Sequence, residues 1–413
     1  MSKRQYNTIL AKIIAQIKPK DTPVKDVKEM FGKIVKLLKL AHLRAVPELG
    51  GSFAKNTFIK GDHDIDIFVR FNQQYRDQDI SLLLAKAIVS LKPEKLHGSR
   101  DYFHIHISGL RYEIVPVLSI TKPEHASNIT DFSPWHVAWV RKNGRLYIDD
   151  IRLAKKFCKS NKCYGAESYI SGFSGHVLDI LIIHYKGFLR LLQAASRWKE
   201  STIIDHYNVH HGKARLHLNQ AKTQGPLILI DPVQPDRNAA SALSFACYNR
   251  FIQAAKSFLQ KPSKDYFTQK IFDPEVMVCK PNAVILKVLP LKAKEDKAGA
   301  KLVQVFEKIK YTLEPFGIKD SDWEWGGKEA YLWYVLKKTE LSSVKEIKGP
   351  PLKLEEHAAA FEKKYPGSYI KKRRLYACVP RLERTPKKVI EQVQNYINER
   401  VFSITWITPL SKK

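Results

Sequence analysis

The chain has 413 residues, 44% of them apolar, enough for two to four domains with real cores. Lysine and arginine total 70 against 41 aspartate plus glutamate, a formal charge of +29, which repels itself unless an anionic partner neutralises it; nucleic acid leads on composition. An anionic membrane is the rival, but the apolar run VLDILIIHY (177–185) holds an aspartate and falls far short of the ~20 residues a span needs.

Two helices open the chain, YNTILAKIIAQI (6–17) and VKEMFGKIVKLLKLA (27–41), apolar at helical spacing and separated by Pro19 and DTP (21–23). A glycine turn at Gly50-Gly51-Ser52 leads to a strand, DIDIFVRF (64–71). A helix follows at DISLLLAKAIVSL (79–91), then the strands YFHIHIS (102–108) and LRYEIVPVLSI (110–120), with Gly109 between them. From about 147 the pattern turns helical. DDIRLAKKFCKSN (149–161) begins with aspartates suited to an N-cap. GHVLDILIIHYKGFLRLLQAASRW (175–198) reads as one packed helix with Val177, Leu181, Tyr185, Phe188 and Leu192 on a stripe, and SALSFACYNRFIQAAKSFLQ (241–260) is another. After KPSKDYF (261–267), AVILKVLPL (283–291), AGAKLVQVFEKIKYTLEPF (298–316) and EAYLWYVLKK (329–338) read as strand, helix, strand. RRLYACVPRL (373–382), PKKVIEQVQNYI (386–397) and SITWITPL (403–410) repeat that order. Small α/β units of this kind recur in RNA-binding proteins, although fold alone does not give function.

The five cysteines are odd in number and not tightly paired, so they read as small apolar residues in a reduced cytoplasm. Cys158 and Cys163 lack a second pair at zinc-ligand spacing. The N-terminal MSKRQYNTILAKI has no apolar signal core, and a cytoplasmic protein is expected.

The chemistry concentrates in GGSFAKNTFIKGDHDIDIF (50–68). Side chains two apart on a strand share a face, so Asp64 and Asp66 point one way and Ile65 and Ile67 the other. Like charges so close destabilise a fold unless a cation sits between them. Two Mg²⁺ ions ~4 Å apart are the usual arrangement for phosphoryl and nucleotidyl transfer, with carboxylate oxygens as ligands. Glu113, a lone acid in RYEIVPV, is placed to supply the third carboxylate from a neighbouring strand. Alone, an Asp-x-Asp pair is more often a solvated edge strand. The preceding turn shifts the balance: Gly50 and Gly51 let backbone approach a ligand, Ser52 opens a helix through FAKNT whose N-terminus favours a phosphate, and Lys55 adds charge.

This arrangement resembles the polymerase-beta-like nucleotidyltransferases. The stretch 50–68, with YGAESYISGFSGHVLDILIIHYKGF (164–188) and IDPVQPDRNAASALS (230–244), is similar to the archaeal, class I CCA-adding enzymes. The resemblance is clear to about residue 260. It continues more weakly to the end, where GPPLKLEEHAAAFEKKYPGSYIKKRRLYACVPRL (349–382) is similar to the family's body segment. It implies an α+β multidomain chain: a nucleotidyltransferase head (1–140), a helical neck with the nucleotide pocket (141–262), and an α/β body and tail that bind tRNA (263–413). It implies addition and repair of the 3′ CCA of tRNA from CTP and ATP, without a template, with release of pyrophosphate, and it suggests a homodimer.

The resemblance also assigns roles. Asp64, Asp66 and Glu113 match the metal carboxylates, although the family usually has aspartate where this chain has Glu113; Asp101 is the weaker candidate for that third place. Ser52, Lys55, Lys155 and Tyr164 match triphosphate contacts. His136 matches a nucleotide-contacting histidine, and Arg237 an arginine that helps select the base. On the residues alone, His136 beside two tryptophans reads as packed, Lys155 as solvated, Tyr164 as core and Arg237 as a surface partner of Asp236. The basic run Lys371, Lys372, Arg373 and Arg374 is either a solvated turn or a phosphate contact. A poly(A) polymerase and an inactive RNA-binding relative remain the alternatives.

Overall fold

A computed structural model describes residues 3–20, 23–62, 64–269 and 272–407. Asp21 and Thr22 of the expected DTP break, and residues 408–410 of the last expected strand, lie outside these. The chain divides into two compact units, Met1–Lys270 and Ile271–Lys413. Among the described residues no helix is long and apolar enough to cross a membrane.

The first unit runs α1 (Lys3–Ile17), α2 (Val24–Leu40), β1 (Ala45–Leu49), α3 (Gly51–Ala54), β2 (Asp64–Phe71), α4 (Ile80–Ala87), β3 (Glu94–Leu96), β4 (Tyr102–Ile107) and β5 (Leu110–Leu118). It continues with α5 (Ser133–Asn143), α6 (Ile148–Ser160), α7 (Gly175–Tyr185), α8 (Phe188–Ala195), β6 (Thr202–Ile204), α9 (Ala214–His217), β7 (Leu227–Leu229) and α10 (Phe245–Gln260).

One sheet of order β1-β2-β5-β4-β3 carries the candidate site. Its strands alternate, and the alternation sorts the faces. Ile65, Ile67, Val69 and Phe71 of β2, Phe103 and Ile105 of β4, and Tyr112 and Ile114 of β5 join the core beneath α2 and α4. The α2 stripe Val27, Met30, Ile34 and Leu38 covers that face, and burying each such side chain contributes roughly 1.5–3 kcal/mol. The other face holds a smaller apolar patch of Phe68, Val115, Val117 and Val137 of α5. Polar side chains also stand on that face, among them Asp64, Asp66, Arg111, Glu113, His104 and His106. Edge strands β1 and β3 were not among the sequence expectations; Pro47 interrupts the first, and the second has three residues.

The helices after α5 share a second core, to which α1 contributes Leu10, Ile13 and Ile17. Phe157 of α6 stands at its centre, with the rings of Phe188, Phe251, Phe258 and Phe267 at 5.6–6.1 Å. Every residue from Val177 to Ile183 of α7 is buried, as a helix enclosed by others requires. The single helix expected over 175–198 is in fact two. Lys186 (φ 57°) and Gly187 (φ 123°) take left-handed conformations, and Ile182 and Ile183 carbonyls end α7 there. Asp149 and Asp150 lie inside the first turn of α6, while Tyr147 occupies the cap.

The second unit contains α11 (Pro274–Val278), β8 (Ala283–Pro290), α12 (Glu295–Leu313), β9 (Ile318–Trp325), β10 (Ala330–Leu336), β11 (Val344–Pro351), α13 (Glu355–Lys364), β12 (Tyr369–Lys371), β13 (Arg374–Pro380), α14 (Pro386–Glu391), α15 (Gln394–Asn398) and β14 (Val401–Trp406). An antiparallel sheet β14-β8-β10-β9 packs on α12 through Leu302, Val305, Phe306 and Ile309. A smaller sheet, β11-β13-β12, packs on α13. The basic run is its hairpin turn. Lys371 pairs with Arg374, and Lys372 (φ 52°) and Arg373 (φ 59°) are the two left-handed corner residues.

Candidate active site

The site grows from the pairing of β2 with β5. The parallel register sets Asp66 beside Glu113 and Asp64 beside Arg111. The antiparallel register of β4 sets His104 on the far side of Glu113. All these side chains leave the sheet on the face away from α2. His104 Nε2 lies 3.1 Å from Glu113 Oε2, a contact in which the imidazole N–H donates and the carboxylate oxygen accepts. Arg111 forks onto Asp64, with Nε and Nη2 each 2.8 Å from a carboxylate oxygen. Asp101 instead faces Lys95 and His97, each 2.7 Å away.

Asp66 is the strained member. Its carboxyl is pushed up to about 6, first by burial and then by the like charge of Glu113 and of Asp64. Lys55 and Lys155 pull the other way and do not restore it. A carboxylate held this way gains from any added cation.

The glycine turn is built around that carboxylate. Gly50 donates its N–H to the Asp66 carbonyl at 2.8 Å, so the turn is tied to β2. Gly51 has φ +53°, and a Cβ there would lie 1.6 Å from Asp66 Oδ2. A Cβ on Gly50 would lie 2.7 Å from the Phe68 ring. The glycines are therefore demanded by β2 itself. The helix expected through FAKNT is a single turn, α3, with Ser52 half-buried in it and Lys55 at its C-cap.

A second cluster joins the sheet to the helices. Lys55 Nζ lies 2.5 Å from Oδ2 of Asp179 on α7, a carboxylate with no exposure. Lys155 of α6 is 2% exposed and donates to the Thr57 carbonyl at 3.1 Å and its hydroxyl at 3.2 Å. Burial lowers its ammonium to about 8, with Asp179 partly offsetting this. One turn away, Arg152 holds the carbonyls of Phe58 and Asn56. These two cations clamp the loop that carries Lys55. Tyr164, its phenol pushed far up by burial, has its oxygen 3.2 Å from where a Cβ on Gly175 would be.

A third cluster surrounds Asp231, which is fully buried after β7. His136 Nε2 lies 3.0 Å and His176 Nε2 3.3 Å from its Oδ2, and Arg237 Nη1 3.2 Å. Backbone N–H groups of Val233 and Gln234 donate to its Oδ1 at 2.9 and 3.3 Å. Burial raises this carboxyl, but hydrogen bonds from His136 and His176 outweigh that and hold it well below the usual range. His136 is lowered to about 4, mainly by burial, so at neutral pH it is an uncharged donor to Asp231. Arg237 thus pairs with Asp231, and Asp236 faces Lys222 at 3.9 Å.

The sequence-predicted residues of the first unit therefore fall into three linked groups. The first turn of α7 is the hinge between them: Gly175 meets Tyr164 and Lys155, His176 meets Asp231, and Asp179 meets Lys55. Sequence reasoning missed Asp179, His176, Asp231, His104 and Arg111. In the second unit, Lys371 is held by Glu346 at 3.2 Å and Arg374 by the Gly349 carbonyl at 2.8 Å, while Lys372 and Arg373 are exposed at the hairpin tip.

Comparison with known proteins follows the same division. A nucleotidyltransferase domain family matches residues 32–136, a tRNA nucleotidyltransferase second-domain family 149–268, and a CCA-adding enzyme C-terminal domain family 291–400. The CCA-adding enzyme of Nanoarchaeum equitans is 37% identical over 344 residues, covering 81% of this chain and 84% of that protein. The CCA-adding enzymes of Sulfurisphaera tokodaii and Methanococcus maripaludis are 31% and 30% identical, covering 78% and 84% of this chain and 76% and 82% of theirs. Among solved structures, a cytoplasmic RNA terminal U-transferase superposes with TM-score 0.51 at 13% identity, and Cid1 poly (U) polymerase with 0.52 at 12%; each alignment covers 65% of this chain and all of the other. These distant structures share the fold of the polymerase-beta-like head. Identity at this level over most of both sequences shows that the chain belongs to the CCA-adding enzymes, a family of nucleotidyltransferases.

Proposed function

We propose that this chain completes the 3′ CCA of tRNA from CTP and ATP, with Asp64, Asp66 and Glu113 as the carboxylates that hold two Mg²⁺ ions. The supporting observation is the in-register pair Asp66 and Glu113, with Gly51 stripped of its side chain to let Asp66 stand there. The donor set suits a hard divalent cation: three carboxylates on one face, one of them held near 6 by burial and like charge. When bound, Mg²⁺ supplies Lewis acidity toward the tRNA 3′ hydroxyl and the triphosphate.

The protein's own groups position and neutralise. Ser52 and the amides of the turn face the triphosphate, and Lys55, Lys155 and Tyr164 flank it. Lys55 is held ready on Asp179. Lys155 needs no partner exchange to lend its charge, since it already acts on Asp66 electrostatically. His136 and Arg237, aligned by Asp231, contact the nucleotide, with Arg237 reading the base. The 3′ hydroxyl attacks the α-phosphate and pyrophosphate leaves, with no covalent enzyme intermediate. The head takes residues 1–140, the neck 141–262, and the body and tail 263–413, where the exposed pair Lys372 and Arg373 meets tRNA phosphates while Lys371 and Arg374 brace the hairpin.

Asp66→Asn tests the assignment. It removes the charge, keeps the shape, and should cut nucleotide incorporation by at least about 10²–10³-fold, with tRNA affinity little changed. Near-normal incorporation would remove Asp66 from the cation site.

A further inference from the structure

Among the described residues, two groups bring three metal-capable side chains to within 4.8 Å of one another. One is His136, His176 and Asp231, where the Arg237 guanidinium already lies 3.2 Å from the shared carboxylate and would repel a cation. The other is Glu94, His104 and His106, one strand removed from the carboxylate set.

We propose that Glu94, His104 and His106 form a binding site for a borderline transition-metal ion such as Zn²⁺. The sheet preorganises it. His104 and His106 are two apart on β4 and share a face, and Glu94 of β3 stands directly across from His104 in register. Two imidazoles and one carboxylate form a three-ligand set, which leaves a fourth position for water. Its nitrogen donors favour zinc, cobalt or nickel over magnesium, so it differs in chemistry from the oxygen-only set on β2 and β5. Glu94 and His106 are exposed, so the site opens to solvent, and Glu94 has no ion-pair partner among the described residues.

The surroundings of His104 follow the pattern of metal-ligating histidines, which give their second ring N–H to a carboxylate. His104 turns Nε2 to Glu113 at 3.1 Å, which fixes the ring and leaves Nδ1 for the cation. The rings of His104 and His106 stand 6.2 Å apart and nearly perpendicular, so both nitrogens can converge without stacking. Occupancy would fix His104 and, through it, Glu113.

The test titrates the full-length protein, first stripped by chelator, with Co²⁺ as a visible-absorbance probe and Zn²⁺ as its competitor. The variants are His106→Ala and Glu94→Gln, both at exposed positions and neither a member of the carboxylate set. The expected result is one Co²⁺ equivalent in the wild type, displaced by Zn²⁺ and insensitive to millimolar Mg²⁺. Each variant should weaken that equivalent by at least ~10-fold while Mg²⁺-dependent incorporation is retained. Binding unchanged in both variants would assign the Co²⁺ to other histidines and overturn the proposal, as would a wild type that takes up no Co²⁺.

Discussion

Gly51→Ala is the smallest change that reaches the candidate cation site. The new Cβ would start 1.6 Å from Asp66 Oδ2, and ordinary contact begins at 3.4 Å, so the pair must separate by about 1.8 Å. The flanking backbone cannot give freely, because Gly50 is hydrogen-bonded to the Asp66 carbonyl at 2.8 Å. The movement therefore falls on the carboxylate. Misplacing a reacting group by ~1 Å costs about 10²-fold, so single-turnover incorporation of labelled CTP should fall at least that far. The variant also bears about 1–2 kcal/mol for a left-handed alanine. Gly61→Ala separates the two effects: it has φ +89° and nothing within 4 Å of its added Cβ, so it carries the backbone strain alone. The expected outcome is a loss of thermal stability in both variants, the larger in Gly51→Ala, and loss of activity only in Gly51→Ala. If Gly51→Ala kept most of its activity, Asp66 would not need to be where the structure puts it, and the reasoning would fail.

Glu113→Gln should lower incorporation by orders of magnitude, Glu113→Asp should retain substantial activity, and Asp101→Asn should behave as wild type; an active Glu113→Gln with a dead Asp101→Asn would move the third carboxylate to Asp101. Arg111 occupies Asp64 as a competing cation, but both partners are about half exposed and such a pair is worth at most about 1 kcal/mol, so Arg111→Ala should lower the Mg²⁺ needed for half-maximal rate by no more than about 5-fold. A large loss of rate instead would give Arg111 a direct role with substrate. Lys155 is lowered from 10.5 to about 8, so its burial penalises the fold at neutral pH and that penalty is relieved as pH rises from about 8 to 10.5. Thermal melting of wild type against Lys155→Met should show the wild type gaining on the variant across that window, by on the order of 3 kcal/mol in all; a difference independent of pH would mean that burial leaves the Lys155 ammonium unshifted, and the reasoning would fail.

Much of the carboxylate face could be read from the sequence, because alternation on β2 and β5 separates Asp64, Asp66 and Glu113 from Ile65, Ile67, Tyr112 and Ile114 without knowledge of the partner strand. The glycines read as room for a ligand, and the structure adds a second demand: Gly51 is required by Asp66. That contact joins residues fifteen apart and leaves no periodic trace. Asp179 was visible in principle: it is a lone acid in a run of buried apolar residues, the same signal that singled out Glu113. Asp231 ends an apolar stretch, LILI, just before Pro232, but only the fold shows that two histidines and an arginine from elsewhere converge on it. The break at Lys186 and Gly187 was hidden because the stripe from Val177 to Leu192 keeps helical spacing across it. Strands β9 and β11 were missed since IKDSDWEW and VKEIKGPP are too polar to stand out as strands.

The most direct measurement supplies the purified protein with tRNA transcripts ending just before the first C, after one C and after two, each with CTP alone, ATP alone and both. The site and family predict that CTP extends the first two to the CC end and stops, and that ATP adds a single A only to the third. Repeated addition of A, or addition of either nucleotide without regard to the 3′ end, would instead describe a poly(A) polymerase, and no addition with intact tRNA binding would describe an inactive RNA-binding relative.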